Sequence, residues 1–201
     1  TIPYSVPGMI AVGGASNAGG LFIDRVRALT GDPDPDAVLG VDPDRRPLWL
    51  PYIRGERTPY HDPRRRARLL DLDLGHDGAA VMAAAYDAAA FVVRHHLDLA
   101  RPALEEAGTP PIRIVAAGGG TRSAPWMQAL ADGTGLPVDV SAEFEGAALG
   151  AAFTGRMAAG LESDTAAARA WAAVSHRVEP RPAHAAASDR RYIAFREAAD
   201  R

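Results

Sequence analysis

Two short apolar runs in this chain stop at clusters of glycine and then give way to a helical pattern, and that arrangement constrains the fold more than any other feature. The first run, residues 9–12 (Met-Ile-Ala-Val), meets Gly13-Gly14-Ala15-Ser16-Asn17-Ala18-Gly19-Gly20. Leu21, Phe22, Ile23, Val26 and Leu29 then recur at helical spacing. The second run, residues 112–116, stops at Gly118-Gly119-Gly120, and a helix resumes with Pro125 in its first turn. Strand and helix therefore alternate, which predicts an α/β domain with helices laid on a sheet. Each glycine loop has two readings. It makes a sharp turn and nothing more, or it lets a ligand lie against bare backbone at the carboxyl end of a strand.

The remaining elements follow from the same periodicities. The first helix should stop at Gly31, and residues 32–47, rich in Pro and Asp, read as a loop. Residues 48–53 (Leu-Trp-Leu-Pro-Tyr-Ile) are an apolar run, a candidate for a face that another domain covers or for plain core. Residues 69–74 alternate Leu with Asp, as a half-exposed strand does. Asp77 can cap a long helix whose stripe runs through Val81, Met82, Ala85, Ala89, Val92, Val93 and His96 and ends near Glu106. A helix over 124–132, a strand over 138–140 and an Ala/Gly-rich helix over 145–159, small enough to pack tightly on a sheet, complete the pattern. Tyr192 and Phe195 are the packing anchors expected of a terminal helix.

Charge and chemistry exclude several classes. With 22 Lys and Arg against 25 Asp and Glu, the chain has no basic block of the kind that tracks nucleic acid or an anionic membrane. Arg64-Arg65-Arg66 reads as a solvated turn. There is no cysteine, hence no disulfide framework or thiolate metal site. No apolar stretch reaches the ~20 residues of a membrane span, and no leader-like segment opens the sequence, so a cytoplasmic protein is the expectation. His61-Asp62 and His76-Asp77 are single pairs, too few for a metal. His95 and His96 should point one inward and one outward from their helix, and Arg54, Glu56 and Arg57 read as a local ion pair around a turn. Neither glycine loop fits the Gly-x-x-x-x-Gly-Lys-Ser or Gly-x-Gly-x-x-Gly phosphate fingerprints.

Taken together, several segments are similar to the C-terminal domain of the FGGY carbohydrate kinases, closest to xylulokinase-like members. LPYIRGERTPYHDP (50–63) resembles FLPYLxGERTPxxDP, and LDLGHDGAAVMAAAYDAAAFVVR (72–94) resembles the signature LxLGHxxxxLxRAxxEGxAF. AAGGGTRSAPWMQALADGTGLPV (116–138) runs on to EGAALGAAFTGRMAAGL (145–161), and order and spacing hold from about Val6 to Leu161. Asp87-Ala88 stands where the family usually has Glu-Gly, and Asp71 where it has Gly.

The resemblance implies an actin-like, ribonuclease-H-like ATPase fold and transfer of the ATP γ-phosphoryl group to a sugar hydroxyl with Mg²⁺. The sugar it points to is a pentulose such as xylulose. It places the adenosine pocket at Gly118, Gly119 and Gly120, with Ser123 near the adenine and Gly19 near the nucleotide phosphates. It assigns no catalytic or metal-ligating residue to this chain. Residues 1–201 would be the nucleotide-binding half of a two-domain kinase. The phosphate-loop hairpin, and the N-terminal domain with most sugar contacts and the general base, would come from sequence before residue 1. Alone, such a half is expected to bind adenine nucleotide but not to turn over, and self-association into a homo-oligomer stays open. The rival expectation is a non-catalytic binding or regulatory module that keeps the kinase fold.

Overall fold

The computed structural model describes residues 2–3, 10–143 and 145–201. The elements are β1 (Ile2–Pro3), β2 (Ile10–Ala11), α1 (Gly20–Thr30), α2 (Pro35–Gly40), β3 (Leu48–Leu50), β4 (Arg68–Leu70) and α3 (Gly78–Glu106). They continue with β5 (Ile114–Ala116), α4 (Ala124–Thr134), β6 (Val138–Ser141), α5 (Gly146–Ala158), α6 (Ala168–Trp171), β7 (Val174–Val178) and α7 (Ala185–Ala199). The strand expected over 9–12 survives as β2; Met9 lies outside the described residues.

Helix and sheet are layered around α3. The main core joins Phe22, Ile23 and Val26 of α1, Met82 and Phe91 of α3, and Leu50 of β3. A second, smaller core lies where Met127 and Leu130 of α4 pack on Val138 and Val140 of β6. There β5 and β6 run parallel while β7 returns antiparallel on the other side of β6. Helices α3 and α4 approach very closely: a Cβ on Gly133 would come within 2.8 Å of the Cβ of Ala90.

Several boundaries are set by side chains that also cap. Asp77 accepts from the amide of Ala80 and starts α3. Gly31 and Gly135 end α1 and α4 in the left-handed conformation. The region read as a loop over 32–47 contains α2, because Asp34 accepts from the amides of Asp36 and Ala37 and Pro35 occupies the first helical position. The Leu/Asp alternation over 69–74 does not make one strand. Asp71 takes φ 59°, Asp73 turns the chain by accepting from the amide of Gly75, and Leu72 and Leu74 are exposed.

The apolar run over 48–53 is interior rather than an open interdomain face. Leu48, Leu50 and Tyr52 are buried, and half-buried Trp49 meets Phe22 edge-on. The exposed apolar side chains lie elsewhere, Ile112 before β5 and Val115 on it among them. Helix α5 does not pack tightly on the sheet either; among its described side chains Phe153 alone is buried, against Trp171.

The C-terminal segment is an integral part of the fold. Tyr192 and Phe195 of α7 are buried and pack at a tilt against Phe91. Arg191 reaches Asp87 of α3 together with Arg46, so one buried carboxylate bridges two guanidinium groups. β7 was not foreseen from the sequence; Arg177 on it and Arg113 before β5 both pair with buried Asp139 on β6.

Candidate functional site

The loop between β5 and α4 is built around bare backbone. Gly118 holds φ 91°, and Gly119 begins a 3₁₀ turn that runs into Ser123. A Cβ on Gly120 would stand 2.8 Å from the Trp126 ring, so that ring lies directly on the turn. Ser123 caps α4, accepting from the amide of Trp126 and donating to the Tyr86 hydroxyl at 3.1 Å. Tyr86 of α3 stacks on Trp126, with ring centroids 5.9 Å apart.

This turn opens on a cleft of about 820 Å³. One wall carries Gly119, Gly120, Arg122 and Ser123, with Pro125 and Trp126 beyond them. Met82 and Tyr86 of α3 form the floor. The opposite wall is α1, with Gly20, Asp24 and Arg27, continued by Asp32 and Pro33. The first glycine loop thus reaches the same cleft through the start of α1. Gly19 precedes that helix and offers it no side-chain cap, which leaves early amides of α1 without a side-chain acceptor.

Of the residues named from the sequence, Gly119, Gly120 and Ser123 line the cleft, whereas Gly118 and Gly19 each stand one residue outside it. The charged rim was not legible in the sequence. Arg27 pairs with Asp24 at 3.1 Å and with Asp32 at 3.3 Å. Its hydrogen bond to Tyr86 raises its pKa, burial opposes that, and the two carboxylates add to the rise. The signal available was slight: a Tyr within the Ala-rich stripe of α3, and an Arg one turn along α1 from Asp24. Together these groups make a slot with bare backbone and Trp126 on one wall, Tyr86 on its floor and the charged Asp24, Arg27 and Asp32 on the wall opposite. Such a slot suits a flat, polar-edged ring joined to an anionic group.

The turn over 54–58 lies against the first glycine loop. Glu56 is 2 % exposed and does not ion-pair with Arg54 or Arg57 among the described contacts. The expected local ion pair is therefore replaced by hydrogen bonds. Glu56 accepts from the Ser16 hydroxyl at 2.8 Å and from the amides of Asn17 and Arg57 at 2.9 and 2.7 Å. His76 accepts from the amide of Asp73, and His95 is buried while His96 is half-buried. Arg65 of the arginine run lies over the Tyr60 ring rather than in solvent, while Arg64 and Arg66 are exposed.

Residues 8–159 match the FGGY family of carbohydrate kinases, C-terminal domain. The xylulose kinase of Streptomyces rubiginosus is 38% identical over 154 residues, which cover 75% of this chain and 30% of that protein. The xylulose kinase of Escherichia coli is 30% identical over 146 residues, 70% of this chain and 29% of that protein. Among solved structures, a ligand-bound xylulose kinase from Lactobacillus acidophilus superposes with a TM-score of 0.78 at 25% identity, over 92% of this chain and 38% of that one. The xylulose kinase of Rhodospirillum rubrum gives 0.75 at 27% identity, over 91% and 38%. The matched part of the chain spans 29–30% of the length of these two curated relatives. It belongs to the FGGY family of carbohydrate kinases and has the α/β, actin-like ATPase fold of their C-terminal half.

Proposed function

We propose that this chain is the nucleotide-binding half of a cytoplasmic, ATP-dependent sugar kinase whose acceptor is a pentulose such as xylulose. The observation that carries the reading is the meeting of both glycine loops at one cleft in a chain of this family. Adenine is read as lying between the Gly119-Gly120 turn and the α1 wall beside Trp126, with the phosphates directed to the start of α1 near Gly19. The pentulose reading rests on the xylulose kinases among the relatives. Phosphoryl transfer is a matter of positioning two substrates and a base. The chain by itself is therefore a binding domain, which needs the part of the kinase that the relatives have and this match does not cover.

Magnesium in such reactions is held by the nucleotide phosphates, water and one or two carboxylates. Among the described residues no three His, Asp or Glu side chains converge on a metal position. The two carboxylates of the cleft, Asp24 and Asp32, are taken up by Arg27. The described residues do not fit a magnesium site.

Gly119→Val tests the nucleotide reading with little risk to the fold, since a Cβ there meets no protein atom within 4 Å. Calorimetric titration with ADP should show binding to the parent and a loss of about tenfold or more in the variant, because the side chain fills the slot. A folded variant that binds ADP as the parent does would overturn the assignment. A coupled ADP-release assay should find no sugar-dependent turnover by the chain alone, and robust turnover with any one sugar would refute the binding-half reading.

A further inference from the structure

The first glycine loop has no regular structure of its own between β2 and α1, yet its course is fixed from outside. Thr58 donates its amide to the carbonyl of Ala15 at 3.1 Å. Arg57 donates to the Asn17 side-chain oxygen at 3.0 Å. Asn17 in turn donates weakly, at 3.4 Å, to the carbonyls of Arg54 and Gly55. Gly14 lets Thr58 come this close, because a Cβ there would meet the Thr58 hydroxyl at 2.2 Å.

At the centre of this seam is the buried Glu56 carboxylate. One oxygen takes the Ser16 hydroxyl, whose own oxygen accepts from the amide of Ala18. The other takes the amides of Asn17 and Arg57. A buried carboxylate costs free energy unless its acceptor sites are filled, and here three donors fill them. Two of those donors belong to the glycine loop, two to three residues before Gly19. Removing the carboxylate would orphan the Asn17 amide and the Ser16 hydroxyl together.

We infer that Glu56 is a positioning residue for the nucleotide: it sets the path of the loop over 13–19 and so the placement of Gly19 and the start of α1 against the phosphates. It acts through the loop and does not itself line the cleft. The inference rests on the nucleotide reading of that cleft.

Glu56→Ala, Glu56→Gln and Ser16→Ala, each in the full chain, decide it by two readouts. Amide exchange over residues 13–20 should accelerate in Glu56→Ala while α3 keeps its protection. ADP affinity should fall about tenfold, as expected when charge-assisted bonds that order a binding loop are lost. Glu56→Gln keeps one acceptor oxygen for the two amides and should recover part of both effects. Ser16→Ala removes a single bond at a half-buried site and should move both readouts in the same direction by less; with Glu56→Gln it decides the matter if Glu56→Ala does not fold. Unchanged loop exchange, or a freed loop with unchanged ADP affinity, overturns the inference. So does acceleration spread evenly over α3, which would mark Glu56 as ordinary scaffolding. If the parent itself fails to bind ADP, the nucleotide reading of the cleft fails, and the positioning role falls with it.

Discussion

Gly119 and Gly120 are neighbours in the same turn, yet they stand in different surroundings. A methyl on Gly119 projects into open space, whereas one on Gly120 strikes the Trp126 ring. Gly119→Ala should therefore melt with the parent. Gly120→Ala should lose about 1–3 kcal/mol from forced repacking and should alter the near-ultraviolet dichroism of the Tyr86–Trp126 pair. Equal stability of the two variants, with an unchanged aromatic spectrum, would mean that the ring does not rest on Gly120. The sequence showed three glycines in a row and a serine three residues on, and their placement beside a cleft followed from the resemblance. It could not show which glycine faces the ligand and which faces a tryptophan. That depends on the turn being 3₁₀, a property of its hydrogen bonds rather than of its composition. The bonds of Glu56 to the glycine loop were hidden for a similar reason: Ser16 and Asn17 lie about forty residues away, where no local pattern reports them.

Among the elements, α3 and α7 carry the clearest consequences. Asp87 is the shared partner of Arg46 and Arg191, both nearly buried. Asp87→Ala would leave two guanidinium groups uncompensated and should destabilise the chain by about 3–5 kcal/mol. Early loss of exchange protection in α7 would identify the cause, and a variant as stable as the parent would refute it. His95 on the same helix is pushed down to about 4, first by burial and then by Arg196, with Tyr60 packed beside it. The folded state holds it neutral, while the unfolded chain takes up a proton below about pH 6.5. Its contribution is therefore complete above pH 6.5 and is lost as the pH falls towards 4. Thermal melts of the parent should decline across that window and those of His95→Leu should decline less; parallel curves would count against it. Most helices were legible because their caps are written in sequence: Asp77, Gly31 and Gly135 act as their residue types predict. Helix α2 was not, since a Pro and Asp cluster reads equally as a loop or as a capped helix start. β7 was not, because Arg177, the arginine that ties it to Asp139 of β6, lies 38 residues from that partner.

At the scale of the whole molecule, the sequence showed α/β layering and, through the resemblance, the family. It left open whether the run over 48–53 is core or a covered face, because a run such as Leu48-Trp49-Leu50 looks alike whether covered by its own domain or by another. Part of the apolar surface that is open lies at β5, where Ile112 is 77 % and Val115 60 % exposed. Replacing both with Thr should lower binding of a hydrophobic dye while leaving the melting temperature within a degree or two, as surface changes generally do. Unchanged dye binding would place the accessible apolar area elsewhere. The close approach of α3 and α4 at Gly133 and Ala90 has a consequence for sequence drift. The two helices meet there with almost no side chain between them, like the hinge end of a pair of tongs, and both also bear on the cleft, through Tyr86 and Trp126. A larger residue at either contact would act as a wedge between the helices and loosen the Tyr86–Trp126 stack at the cleft, from a point that touches no ligand. Descendants of this sequence should find residues 90 and 133 confined to the smallest side chains, under a constraint exerted by an aromatic pair at a cleft that neither of them lines.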